Sequence, residues 1–148
     1  MRTFVLLFLA LCSVSAQTLP LPPRPVSAPT GSALYPLLNP LSRAVREDTL
    51  FAQIMRGNIP DFQRTLVKIT VTRTINNTSY TLEYFVTPEY FSLGHDTDHV
   101  LMPMTPILAQ KLANALGCTL PTPRMVDQIY IASGLKLPPQ TIPPDANM

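Results

Sequence analysis

The sequence predicts an α+β fold: an N-terminal helix, an antiparallel hairpin that a third strand can extend, and two C-terminal helices packed on one face of the sheet. Three observations carry this prediction. Apolar and polar residues alternate on both sides of Asn76-Asn77. Apolar residues recur at helical spacing between 42 and 56. Further on, two Thr-Pro pairs each precede an apolar stretch that ends on glycine.

The hairpin follows from register. Val67, Ile69 and Val71 alternate with Lys68, Thr70 and Thr72, and Leu82, Tyr84 and Val86 alternate with Thr81, Glu83 and Phe85. Asn76-Asn77 suits a two-residue loop, because asparagine tolerates the positive φ such turns require. Val71 then faces Leu82, Ile69 faces Tyr84 and Val67 faces Val86, all on one face. Thr72–Thr81 and Thr70–Glu83 fall on the other. A one-residue slip would mix the two faces. Val100 to Met102 supplies the third strand, which Pro103 confines to an edge or ends.

The first helix is expected from Ser42, its cap, to Arg56. Leu41, Val45, Ala52 and Met55 form its stripe, widened by Phe51 and Ile54. Gly57-Asn58 stops it and Pro60 prevents a restart. Each Thr-Pro pair sets a capping hydroxyl before a proline at the first helical position. Thr87-Pro88 opens a short turn. Thr105-Pro106 opens a helix to Leu116, ended by Gly117, with Leu108, Leu112, Ala115 and Leu116 inward. Thr122-Pro123 opens another to Ser133, ended by Gly134, with Met125, Val126, Ile129 and Tyr130 inward.

The ends of the chain differ from this middle. Met1-Arg2, the apolar run from Phe4 to Cys12 and the small residues Val14-Ser15-Ala16 are the three parts of a secretory signal, residues 1–16. The run is about half of the roughly 20 residues a membrane span needs. Leu11 is too bulky for a lipoprotein cleavage at Cys12, so the cut is expected after Ala16, leaving Gln17 first. Residues 17–40 hold seven prolines and read as an extended, polyproline-like leader. The domain then covers 41–135, and 136–148 is a Pro-rich tail. No later stretch is apolar enough to span a bilayer, so the product is expected outside the cell, or in the periplasm of a Gram-negative source.

Composition narrows the function classes. The net charge of +2 falls to +1 once Arg2 leaves with the signal, too little for a nucleic-acid surface. The helix–turn–helix outline of the two Thr-Pro helices therefore does not point to DNA. No cofactor motif is present. His95-Asp96-Thr97-Asp98-His99 gathers both histidines and two carboxylates, so His95, Asp96, Asp98 and His99 are candidate metal ligands. A solvated polar turn accounts for the same residues. Cys118 is the one cysteine left after signal removal. It reads as a small buried residue at a helix end, with a nucleophilic role as the competing reading. The carbonyl end of a helix works against a thiolate there. Asn76-Asn77-Thr78-Ser79 holds two overlapping glycosylation sequons at an expected turn tip, so Asn76 or Asn77 would carry glycan if the source is a eukaryote.

The run from Thr105 through Ala109-Gln110-Lys111-Leu112-Ala113-Asn114-Ala115-Leu116-Gly117-Cys118-Thr119-Leu120-Pro121-Thr122-Pro123 to Asp127 resembles a stretch of a family of secreted, mostly bacterial proteins of unknown function. Gly57-Asn58-Ile59-Pro60-Asp61-Phe62, the segment from Tyr84 to Tyr90, and Lys136-Leu137-Pro138-Pro139-Gln140 fit the same pattern. The resemblance covers roughly residues 57 to 148 and implies no activity. It implies that relatives continue past the point matching Met148 into a region with His, Asp and Tyr. It also implies Ser and Tyr where this chain has His95 and His99, which weighs against a metal there.

Two functions compete. The first is a secreted, non-catalytic binding module with an extracellular or envelope partner. The second is the N-terminal piece of a longer secreted hydrolase, thiol-dependent through Cys118, which the abrupt end at Met148 suggests.

Overall fold

The computed structural model describes residues 17–136 and Pro138. The signal at 1–16, with Cys12, and most of the tail at 136–148 lie outside the described residues. The fold is α+β, with two antiparallel two-stranded sheets and four α-helices among the described residues. In order these are α1 (Gly31–Leu38), α2 (Arg43–Met55), β1 (Val67–Ile75), β2 (Thr78–Val86), β3 (Ser92–His95), β4 (Asp98–Leu101), α3 (Pro106–Ala115) and α4 (Pro123–Ala132). A 3-10 turn, Asp61–Arg64, leads into β1.

The leader is not extended throughout. α1 lies inside it, with Thr30 as N-cap accepting from Ala33 N–H and with Pro36 in the helix body. A proline in a helix interior costs about 3 kcal/mol or more. Leu34 and Leu38, one turn apart, are both buried in the core, and each contributes about 1.5–3 kcal/mol. Their burial offsets the proline, and the carbonyl of Ser32 that loses its donor belongs to an exposed residue. Ahead of α1 the chain turns at Pro25–Ala28, where Ala28 N–H donates to Pro25 O. Leu19 N–H donates to Arg64 O and Leu66 N–H to Gln17 O, so 17–19 runs antiparallel to 64–66 with Leu19 in the core.

α2 ends where expected. Gly57 N–H donates to Ile54 O and Asn58 N–H to Gln53 O, a Schellman cap with Gly57 at φ +80°. The buried stripe is rotated from the expected one. Leu50 and Ile54 are fully buried and Phe51 and Met55 partly, while Val45 and Ala52 are exposed. Ser42 occupies the N-cap without a side-chain bond. Leu50 and Ile54 belong to one core cluster with Leu34 and Leu38 of α1 and Leu19 of the leader, segments that were expected to lie outside the core.

The β1–β2 register is the expected one at every pair, including Val71–Leu82, Ile69–Tyr84, Val67–Val86, Thr72–Thr81 and Thr70–Glu83. Asn76 and Asn77 both have positive φ, 48° and 61°, as a type I′ turn demands. Val100 does not extend this sheet. β4 pairs with β3 in a second hairpin, closed at Asp96-Thr97, with Leu93 opposite Val100. α1 crosses both strands of this hairpin: a Cβ on Gly31 would lie 2.5 Å from the His99 carbonyl carbon of β4, and one on Gly94 of β3 2.8 Å from Gly31 N, so only glycine allows this approach.

Both Thr-Pro helices start as expected, with Thr105 Oγ1 accepting from Leu108 N–H and Thr122 Oγ1 from Met125 N–H. α3 packs on α2, burying Leu108, Leu112 and Ala113; Ala115 faces out. Glu47 of α2 accepts from Thr105 N–H and Oγ1–H, each at 3.0 Å, fixing the start of α3. α4 lies instead on β1 and buries none of its residues fully. Met125 and Ile129 are half-buried, but Val126 and Tyr130 are exposed, contrary to the inward placement expected of them.

Candidate functional site

The His95–His99 loop is the turn of the β3–β4 hairpin, and its polar atoms have local structural partners. Asp98 accepts from Ser32 N–H at 2.8 Å and Ser32 Oγ–H at 2.6 Å, binding the first turn of α1. The Ser32 hydroxyl, then its N–H and the Thr30 hydroxyl, holds the Asp98 carboxyl below the usual carboxylate range. Asp96 Oδ1 accepts from Asp61 N–H and Phe62 N–H and so caps the 3-10 turn. His95 Nδ1 lies 3.0 Å from Thr97 Oγ1. His99 packs edge-on against Phe62, 5.3 Å between centroids, and lies 3.7 Å from Glu89. The four candidate ligands are thus spread over different partners. Among the described residues no group of three or more His, Cys, Asp or Glu side chains is gathered as a metal would require.

Cys118 is exposed rather than buried. Its N–H donates to Ala113 O in the Schellman cap of α3, which turns the chain outward at Gly117. The cap fixes the backbone and leaves the thiol outside the core, with Leu116 O at 3.5 Å as its hydrogen-bond partner. Asn76 and Asn77 stand exposed at the tip of the β1–β2 hairpin, as their sequons require.

A buried polar network has no counterpart in the sequence reading. Asn58 is fully buried. Its Oδ1 accepts from Arg24 Nε–H at 2.8 Å and its Nδ2 donates to Pro29 O and Gln53 Oε1. Arg24 also donates to Ala28 O and Pro29 O. Arg64 donates to Pro22 O, Leu21 O and Gly57 O. Gln63, also fully buried, donates to Tyr90 O and accepts from Ser92 N–H. These groups supply donors and acceptors to a leader whose prolines cannot make a ladder. Arg24, Asn58 and Arg64 tie 20–30 to the domain, and Gln63 ties the 3-10 turn to the start of β3.

The surface that the local hydrogen bonds do not account for is the apolar face of the β1–β2 hairpin. Val67, Ile69 and Val71 share it with Val86, Tyr84 and Leu82, and toward the tip it carries Ile75, Tyr80 and the charged Arg73. α4 covers its base, where Ile69 is buried and Tyr84 Oη–H donates to Gln128 Oε1 at 2.9 Å. Beyond that Leu82 and Tyr80 are each 57% exposed, and on α4 Val126 is 50% and Tyr130 57% exposed. The opposite face carries Lys68, Thr70, Thr72 and Glu83, with Lys68 Nζ 2.9 Å from Glu83 Oε1. The alternation that defined the hairpin contained this face, but not that one helix would leave half of it open.

Comparison of the chain with protein-family models, with curated proteins and with solved structures finds no match.

Proposed function

We propose that the chain is a secreted, non-catalytic interaction module that binds through the face formed by α4 and the outer half of the β1–β2 hairpin. The observation that carries this reading is the exposure of Tyr80 and Leu82 on the half-covered ribbon and of Val126 and Tyr130 on the helix that covers its base. An isolated two-stranded hairpin is marginal in water, and exposed apolar patches rimmed by polar residues mark association surfaces. Export rests on the three-part pattern of residues 1–16, and Gln17 is the expected first residue of the product.

The test is a photo-crosslinking amino acid placed at Leu82 or Tyr130, with Thr72 on the polar face as control, in cells that make the chain. Discrete adducts from the first two positions and none from Thr72 are the expected result. No adduct from any position refutes the reading.

The second reading, a piece of a longer secreted hydrolase, draws on the exposure of Cys118. Alkylating Cys118 with iodoacetamide separates the two. The adducts at Leu82 and Tyr130 persist if the chain works as a binding module.

A further inference from the structure

We propose that Gln17 becomes a pyroglutamate: once the cut after Ala16 frees its amine, the residue closes on its own side chain and blocks the N-terminus of the exported chain. The inference rests on the export part of the reading above and adds a covalent modification to it.

The reactants lie within one residue. Cleavage after Ala16 turns the main-chain nitrogen of Gln17 into an α-amine next to its own carboxamide side chain. Such an amine has a pKa of about 7.7–8.0, so a fraction of it is neutral and nucleophilic at neutral pH. It attacks Cδ. The bond from the α-nitrogen to Cδ forms, the bond from Cδ to Nε2 breaks, and Nε2 leaves as ammonia with the proton that the amine gives up. Nothing is oxidised or reduced, and no second substrate enters.

The fold is compatible with this ring. The Gln17 side chain is exposed, so its closure removes nothing from the core. What holds Gln17 to the domain is its carbonyl oxygen, which accepts from Leu66 N–H at 2.8 Å. Ring closure uses the α-nitrogen and the side chain and leaves that oxygen as an acceptor. Thr18 opposite Thr65 and Leu19 N–H on Arg64 O follow directly, so the modified residue stays part of the short strand.

The product differs from the freshly cut chain in two ways. A neutral lactam replaces an ammonium group, which removes a terminal charge. The lactam also stops trimming, because aminopeptidases act on a free amine. Only Gln17 and Thr18 separate the cut from Leu19, which is 6% exposed and belongs to the core cluster. Chain ends are where proteolytic loss concentrates, and here a short loss would take a buried leucine out of the core. The ring closes that route.

The test uses the full chain in cells that export it. Free amines are methylated at harvest, so that a ring formed later is not counted, and the product is examined by the mass of its N-terminal peptide and by Edman degradation. The expected peptide begins at residue 17, is lighter than the free form by one ammonia and carries no methyl label. It gives no Edman sequence until pyroglutamyl aminopeptidase, applied to the unfolded product, exposes Thr18. Gln17→Asn is one methylene shorter and would need a strained ring. It is expected to carry the methyl label at its N-terminus, with the thermal transition of the parent retained. A parent chain that begins at Gln17 and is methylated there in full overturns the proposal and leaves export standing. A product cut at another bond does the same. A product that keeps residues 1–16 overturns the export reading and the proposal together.

Discussion

Leu37 and Leu38 are neighbours in a proline-rich segment, and they separate a linker from a core element in one experiment. Leu38 is 1% exposed and belongs to the core cluster; Leu37 is 64% exposed. Leu38→Ala removes buried methyl groups and leaves a space that the surrounding core cluster fills only in part. Core leucine truncations of this kind cost about 2–5 kcal/mol, and the full burial of Leu38 places it near 3 kcal/mol. Leu37→Ala exchanges a mostly solvated side chain and should stay within about 0.5 kcal/mol. With a urea m-value of about 1.5 kcal/mol/M, the Leu38→Ala midpoint falls by about 2 M and that of Leu37→Ala by less than 0.4 M. Circular dichroism during urea unfolding reads both, and an unchanged m-value shows that only stability moved. If Leu38→Ala shifts the midpoint no more than Leu37→Ala does, the leader is a linker and the packing of α1 described above is wrong.

Three further outcomes test the ties around the leader and the hairpins. Gly57→Ala places a Cβ 2.1 Å from Pro22 O at a φ of +80°, so the leader must move; a loss of about 2–4 kcal/mol in the same urea assay is expected, against about 1 kcal/mol for the left-handed backbone alone. Asn77→Gly relieves a φ of 61° at the second turn position and should raise stability by a few tenths to about 1 kcal/mol, visible as a higher melting temperature. Asp98 has its folded pKa below the ordinary value of 3.8, so its stabilising effect is present above that value and is lost as pH falls through the folded pKa. Asp98→Asn should therefore melt lower than the parent at neutral pH and converge with it in acid; a gap that stays constant down to strongly acid pH would show that the Ser32 contact does not depend on the carboxylate.

The elements legible in the sequence are those whose signals are local. Register in β1–β2 depends on side-chain alternation and on a turn that asparagine can make, and both are written within twenty residues. The Thr-Pro caps and the glycine stops at the helix ends are equally short-range. The misreadings share a different cause. Pro36 argues against a helix locally, and only the burial of Leu34 and Leu38 against distant residues overrides it. The rotation of the α2 stripe has the same origin, since which face is buried depends on what covers it. Asn58, Gln63 and Arg24 carry no motif; a buried asparagine next to a helix-ending glycine becomes meaningful only when the leader lies across it.

The candidate site divides the same way. That His95, Asp96, Asp98 and His99 sit together in a turn is a matter of sequence, but whether four polar side chains converge or diverge depends on the elements around them, and here Asp96 and Asp98 face separate helical turns. The chain alone determined an amphipathic hairpin with a polar tip, because period-two alternation fixes which side chains share a face. Tertiary structure decided that α4 covers only its base, and so that Tyr80, Leu82, Val126 and Tyr130 reach solvent. A strand pattern records which face is apolar; the area that faces water depends on the length and placement of the helix laid upon it.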